Sequence, residues 1–332
     1  MFLAGDVGGT KTHLALYRPG DSPRVPVINR KLPSRDHASL EALVREFLAA
    51  APGQPVRPAH VVLGIAGPVV ENHARTTNLP WQVDGVALGE ALGGARVTLL
   101  NDLSATAWGL GVLAPDELEV LQPGVVAPGN RGLVAAGTGL GEALLIRDGE
   151  GWTPAPSEGG HADFGPRDAF EDELCVWLRA RYGHVSCERV LSGPGLADLY
   201  RFMSDTARGG EPAAFARAFA EAADPAAVVA EAAATGACAR ARLTLERFAS
   251  IYGAEAGNVA LKFLAVGGVY VGGGIAPRIL PFLRDGRFRD AFRAKGRLAP
   301  VLEAIPVSVV LDDRAALWGA AVVALGTAGA LR

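Results

Sequence analysis

Residues 5–16, GDVGGTKTHLAL, decide how the rest of the chain is read. A short apolar start, Met1-Phe2-Leu3-Ala4, runs into glycines of the kind that let a backbone approach a phosphate closely. Asp6 stands inside that bend. The ATP-binding loop GxxxxGK[ST] is not completed here, and the dinucleotide fingerprint GxGxxG is absent. The residues after the bend read as strand. Thr10, Thr12, Leu14 and Leu16 fall on one face at period two, with Lys11, His13 and Tyr17 mostly on the other. The unit is therefore strand, glycine turn, strand. Such a hairpin presents backbone N–H groups to a phosphate. Asp6 then serves as a partner of Mg²⁺, directly or through water, and the metal cancels the repulsion between carboxylate and phosphates. Taken alone, the stretch is explained equally well by an ordinary hairpin with Asp as a turn former.

The same grammar returns at 131–146, RGLVAAGTGLGEALLI, with different letters. Between the two lie an amphipathic helix (Leu40, Leu43, Val44, Phe47 and Leu48, with Ser39 as N-cap), a buried strand HVVLGIAGPV (60–69) and a second strand RVTLLND (96–102). The second half is helix-rich. DAFEDELCVWLRARYG puts Phe170, Leu174, Trp177 and Leu178 on one face, started by Asp168 and stopped by Gly183. Residues 213–264 are Ala-rich and mostly helical. GGVYVGGGIAPRIL (267–280) is strand, triple glycine and helix, and PVSVVLDDRAALWGAAVVAL is a last strand and a last helix. No Pro/Ser-rich linker divides the chain. Two βββαβα-type lobes, each with a phosphate hairpin, account for the repeat, with a ligand between them at the carboxyl ends of the strands.

The 332 residues suffice for one large or two medium domains, and the net charge of −3 is spread along the chain. Nothing suggests nucleic acid or an anionic membrane surface as a partner. A mean hydropathy of +0.21 reflects abundant Ala, Val and Leu, and the apolar C-terminal run is too short and too rich in Gly and Ala to read as a span. No leader is legible, so the cytoplasm is the expected compartment. Cys175, Cys187 and Cys238 all fall in expected helices and read as buried thiols of a reducing compartment, without the close pairs a structural zinc site needs.

Each candidate for chemistry is weak by itself. Asn101-Asp102 reads as a helix cap, Glu158 and His161 as part of a solvated glycine-rich loop, Glu188 as first-turn compensation of a helix dipole, and glycines 272–274 as a tight turn. The combination says more. Two glycine hairpins suit phosphates, and carboxylates, an amide and an imidazole suit the hydroxyls of a sugar.

The ordered set GDVGGT, LLNDLSA, AAGTGLG, SEGGHADF, GHVSCERVLSGPGL, GNVAL and YVGGGIAPR resembles bacterial ATP-dependent glucokinase, a hexokinase-type sugar kinase of the actin-like ATPase superfamily. The resemblance runs from Gly5 to the final helix, and the stretches around Glu158 and Glu188 are its most specific part. It implies an α/β, two-lobed actin-like (ribonuclease H-like) fold. Each lobe is then a mixed sheet flanked by helices, with the active-site cleft between the lobes. The expected lobes are 1–105 plus 312–332 (small) and 106–311 (large). It implies that Gly5, Asp6, Val7, Gly8, Gly9 and Thr10 hold ATP phosphates with Mg²⁺ at Asp6, that Gly137, Thr138 and Gly139 hold phosphates from the other lobe, and that Gly273 and Gly274 lie by the adenosine. Asn101, Asp102, Glu158, His161 and Glu188 match the glucose ligands, Asp102 matches the catalytic base, and TTNLPW (76–81) makes Asn78 a further sugar contact, with Trp81 beside it. A cytoplasmic homodimer acting in glycolysis on glucose and MgATP is the expected protein. Lys11 departs from the Asn that many relatives carry after the bend. The cysteine-rich zinc motif of the neighbouring branch of kinases and repressors is missing, and no helix-turn-helix segment is legible before Gly5. A kinase for mannose or an N-acetylated sugar, and a non-catalytic sugar sensor, are the competing readings.

Overall fold

The computed structural model describes residues 1–53, 55–76, 79–149 and 151–326. The strands are β1 (Phe2–Val7), β2 (Lys11–Tyr17), β3 (Ile28–Pro33), β4 (His60–Ile65), β5 (Val69–Val70), β6 (His73–Arg75), β7 (Gln82–Asp84), β8 (Arg96–Asn101), β9 (Leu118–Gln122), β10 (Arg131–Ala136), β11 (Leu140–Asp148), β12 (Gly151–Ser157), β13 (Val269–Gly272) and β14 (Val307–Val310). The α-helices are α1 (Leu40–Ala49), α2 (Gly85–Ala91), α3 (Asp102–Gly109), α4 (Ala169–Tyr182), α5 (Gly193–Asp205), α6 (Ala213–Glu221), α7 (Pro225–Ala234), α8 (Ala239–Lys262), α9 (Leu280–Arg284), α10 (Arg287–Arg293), α11 (Ala299–Ala304) and α12 (Ala315–Leu325). Two units result. The first holds Met1–Glu117, Leu145–Pro156 and the C-terminal stretch from Asp312; the second holds Leu118–Leu144 and Ser157–Leu311.

The first unit is built on a five-stranded sheet in the order β3-β2-β1-β4-β8. β1, β4 and β8 are parallel, while β2 and β3 fold back as antiparallel hairpins. The alternation expected in residues 10–17 is present, but both faces are covered. Leu3, Val7, Leu14, Leu16, Leu63 and Ile65 bury one face together with Leu43 and Phe47 of α1. Ala4, Ala15, Tyr17 and Val62 bury the other against α12. Each large side chain so buried contributes about 1.5–3 kcal/mol relative to exposure. Ser39 caps α1 as expected, accepting from the Ala42 N–H at 3.1 Å. Trp81 lies in the same core as α1, only 3% exposed.

α3 and α12 cross at very close range. A Cβ at Gly319 would overlap the Ala105 carbonyl oxygen and stand 2.6 Å from the Gly109 nitrogen. A Cβ at Gly109 would overlap the Ala315 carbonyl oxygen. Backbone therefore rests on backbone, and this crossing fixes where the first residue of α3 sits.

The second sheet has six strands in the order β12-β11-β10-β13-β14-β9, with β9, β10, β13 and β14 in the second unit and nearly all of β12 in the first. Its first five strands repeat the topology of the other sheet: three consecutive strands at one side, then two parallel neighbours, β13 and β14. β9 is added antiparallel at the far edge. α8 is the central helix, with Phe248, Tyr252, Ala256 and Val259 fully buried. Three details differ from the sequence reading. The buried face of α4 is Glu171, Leu174, Cys175 and Leu178, because Glu171 is neutralised by the Arg167 guanidinium, while Phe170 and Trp177 are half-buried. Only Cys175 lies inside an α-helix; Cys187 is in a 3-10 turn and Cys238 precedes α8, though all three are free and buried. The triple glycine leads into a 3-10 turn, Ala276–Ile279, before the short α9. Among the described residues no helix is long and apolar enough to cross a membrane.

Candidate active site

In the first unit the parallel strands bring the polar residues to one edge. Val7 stands beside Ile65, and Ile65 beside Asn101, at the carboxyl ends of β1, β4 and β8. Strands lie about 4.8 Å apart, so Asp6 and Asp102 attach to the sheet roughly two strands, or about 10 Å, from each other. Asp6 continues the Phe2–Ala4 face, the one covered by α12. Its carboxyl is pushed up to about 7, first by burial, then by the Asp102 and Asp313 carboxylates, with Lys31 opposing weakly. Lys31 is itself paired to Asp313 at 2.8 Å. Asp6 is thus disfavoured as an anion by burial and by two neighbouring carboxylates, and a cation beside it would favour its ionised form. Among the described residues no three His, Cys, Asp or Glu side chains gather as a metal cage. The donor set therefore suits Mg²⁺ that arrives with phosphate ligands of its own.

The hairpin turn is held by Gly8 N–H to Lys11 O at 3.1 Å, by Ser34 Oγ to Gly8 O at 2.7 Å and by Ser34 N–H to Thr10 O at 3.0 Å. Gly9 is half-buried, and Thr10 and Lys11 are exposed. Gly5 and Val7 lie deeper. The space a side chain would take at Gly5 is filled by Leu14 and Leu63, and the Val7 side chain is in the core. Gly5 thus has a packing role that the sequence reading did not foresee.

The helix cap is divided otherwise than the sequence suggests. Asn101, not Asp102, is the N-cap of α3; its Oδ1 accepts from Leu103 N–H at 3.0 Å and Ser104 N–H at 3.4 Å, and its Nδ2 donates to Gly67 O at 3.1 Å. Asp102 is the first helical residue, half-buried, and its Oδ1 accepts from Leu103 N–H at 2.9 Å. Asn78 lies outside the described residues.

In the second unit three of the expected sugar ligands come together. His161 Nε2 is 4.0 Å from Glu158 Oε2, and His161 Nδ1 is 4.0 Å from Glu188 Oε1. Glu158 and His161 are well exposed, while Glu188 is more sheltered. The loop that carries Glu158 and His161 leaves both side chains in solvent, as expected, but its backbone is closely packed. It forms a 3-10 turn, Gly159–His161, pressed onto β11 so closely that a Cβ at Gly160 would overlap the Leu140 carbonyl. Glu188 belongs to the one-turn helix Cys187–Arg189 and reaches the second glycine hairpin, where Oε2 accepts from Leu140 N–H at 3.0 Å. A Cβ at Gly139 would overlap that same carboxylate oxygen. The hairpin is further held by Gly137 N–H to Gly139 O and by Gly193 N–H to Gly137 O, both 2.8 Å, with Thr138 exposed at its tip.

Gly273 follows β13 at φ 80°, in a place where a Cβ would overlap the Ala136 carbonyl, and Gly274 faces open space. A residue missed in the sequence braces this corner. The buried Tyr252 hydroxyl accepts from Ala136 N–H at 3.0 Å and lies 3.1 Å from Gly272 O and 3.2 Å from Val134 O. A tyrosine at helical spacing in an apolar run gives no hint of that contact.

A duplicated βββαβα sheet topology with a glycine hairpin after the first strand of each copy is the actin-like ATPase fold. The model of the family described as Glucokinase matches residues 3–327. The glucokinase of Synechocystis sp. is 40% identical, with 97% of each chain covered. A solved glucokinase from an Antarctic psychrotroph is 31% identical, covers 98% of each chain and superposes with a TM-score of 0.83. The glucokinase of Balamuthia mandrillaris, solved with glucose, shares the fold at 22% identity and a TM-score of 0.77, over 97% of this chain and 93% of that one. The chain belongs to the glucokinase family.

Proposed function

We propose that the enzyme transfers the γ-phosphoryl group of MgATP to the 6-hydroxyl of glucose, with Asp102 as the general base. The observation that carries this reading is the division of labour at the start of α3. Asn101 is the N-cap, so the cap does not depend on the carboxylate at 102, which shares the Leu103 N–H and stands at the same sheet edge as Asp6. Asp102 takes the hydroxyl proton as the sugar oxygen bonds to phosphorus and the bond to the β–γ bridging oxygen breaks, releasing ADP. Backbone N–H groups at Gly9 and Thr10 and at Thr138 and Gly139 suit phosphate oxygens, in turns that Gly8 and Gly137 hold through their own N–H bonds. Gly5 and Val7 shape the first of these turns from within β1. Mg²⁺ enters as part of the nucleotide substrate and neutralises phosphate charge; Asp6 is the carboxylate placed to meet it, directly or through water. Gly273 and Gly274 are assigned to the adenosine. Release of ADP from MgATP, followed with glucose, mannose and N-acetylglucosamine in parallel, tests the reading; no sugar-dependent ADP overturns it. Three buried free thiols fit the cytoplasm, where ATP is available. A homodimer without nucleic acid or membrane partners is the assembly to be checked by sedimentation.

Glu158, His161 and Glu188 are assigned to sugar hydroxyls away from the reacting oxygen. Replacing each by Ala should weaken glucose binding by about 1–3 kcal/mol. Isothermal titration with each ligand in turn checks the split. ATP affinity should hold for Glu158→Ala and His161→Ala. Glu188→Ala should also cost some ATP affinity, because it releases the Leu140 N–H beside the phosphate hairpin. Loss of ATP affinity with normal glucose binding would remove these residues from the sugar site.

A further inference from the structure

Directly behind the Glu158, His161 and Glu188 cluster lies a second set of acids that the reaction does not use. Glu142 on β11 and Glu255 on α8 are 1% and 5% exposed. Glu255 is richly bonded: Oε2 accepts from Asn258 Nδ2 at 2.8 Å and from Cys187 Sγ at 3.4 Å, and Oε1 from Lys262 Nζ at 3.3 Å. Glu142 is not, and its Oε1 is buried without a hydrogen-bond partner. Two ionised carboxylates offer each other only acceptors. One proton between them supplies the missing donor.

This pair is linked to the sugar residues through their neighbours in three ways. A Cβ at Gly159 would overlap Glu142 Oε2 and stand 3.0 Å from Ser157 Oγ, so the carboxyl packs against the backbone that carries Glu158 and His161. Cys187, which donates to Glu255, is the neighbour of Glu188. Leu140, whose N–H is held by Glu188, lies two residues before Glu142 on the same strand. Resting on the sugar-site reading, we propose that Glu142 and Glu255 share one proton and act as a positioning pair, holding the Gly159–His161 turn and Glu188 in register for glucose.

The surrounding charges agree. Burial and then Glu255 hold the Glu142 carboxyl up at about 8. Burial, then Glu255, keeps the Cys187 thiol protonated. Burial pulls Lys262 down, but Glu255 and Glu142 more than offset it, so it stays charged. Lys295 bonds to Ala254 O at 2.9 Å and Asn258 Oδ1 at 2.5 Å, and burial lowers its pKa. Loss of the shared proton leaves two buried negative charges, one bonded lysine and a strand pushed away from its helix.

The sign is set by the raised value. Below pH 8 the proton is present and the glucose site is in register; above it the register is lost. Glucose binding to the full chain, measured by titration calorimetry from pH 6.5 to 9, should weaken about fivefold between pH 8 and 9. In Glu142→Gln, which carries a fixed neutral donor, the same profile should be flat within about twofold. Coincident profiles for the two proteins overturn the pairing. If that variant does not fold, Glu255→Gln serves: without the neighbouring charge Glu142 ionises earlier, and the midpoint should fall by at least about half a pH unit. An unmoved midpoint overturns the proposal. Glu188→Ala separates the two levels. If it binds glucose as the parent does, the sugar-site reading fails and the pairing with it. If it weakens glucose while the Glu142→Gln profile stays parental, the site stands and the pairing alone falls.

Discussion

Asp102→Asn lowers kcat by about 10²–10⁴-fold, or roughly 3–5.5 kcal/mol of barrier, while the melting temperature and most of the glucose affinity survive. The substitution is nearly isosteric, and its amide still hydrogen-bonds a sugar hydroxyl. It cannot, however, take the hydroxyl proton. The structure makes this a cleaner test than the sequence promised, because the cap of α3 resides in Asn101 and is untouched. The lower end of the range applies if the phosphoryl transition state is loose, since little proton transfer is then needed at the barrier. kcat, the glucose dissociation constant and the melting temperature are measured on one preparation. A variant that melts and binds glucose normally and keeps kcat within about threefold shows that Asp102 is not the base.

Gly319→Leu unfolds the first unit at markedly lower temperature and removes activity before it does so. Overpacking a core typically costs about 1–3 kcal/mol when side chains can move aside. Here the obstacles are the Ala105 carbonyl and the Gly109 nitrogen, both backbone, and no rotamer change clears them. A cost at or above the upper end is expected, lowering the melting temperature by about 6–12 °C at roughly 2–4 °C per kcal/mol. The activity loss has a separate cause: α3 must shift, and Asp102 is its first residue. Gly165→Ala, where a Cβ meets nothing within 4 Å, is the control and should melt like the parent. If Gly319→Leu melts within about 2 °C of the parent, the helix crossing is looser than these contacts imply.

Stability itself should carry the Glu142 signature. The folded chain holds that proton more tightly than the unfolded chain, so the stability it contributes is complete below the ordinary glutamate value of 4.5 and is lost as pH rises towards 8. Glu142→Gln, which has no proton to lose, should therefore gain on the parent in melting temperature from pH 5 to 8.

The features that the sequence determined by itself are local and periodic. Leu14 and Leu16 alternate at period two, and Leu40, Leu43, Val44 and Phe47 recur at helical spacing, because each face must meet a core. Ser39 and Asp168 cap their helices because an N-terminal N–H needs an acceptor close in sequence. The repeated hairpin was legible because glycine punctuates both copies, and the ordered motifs pointed to the family. The tertiary structure decided everything that depends on residues distant in the chain. Asn101, the cap of α3, also reaches Gly67, which is distant in the chain. Gly5 is a glycine for Leu14 and Leu63 as much as for a ligand. The meeting of Glu158, His161 and Glu188 requires the 3-10 turn to lie on β11. The pairing of Glu142 with Glu255, separated by more than a hundred residues, has no periodic signature, because burial of a charge is decided by what packs over it.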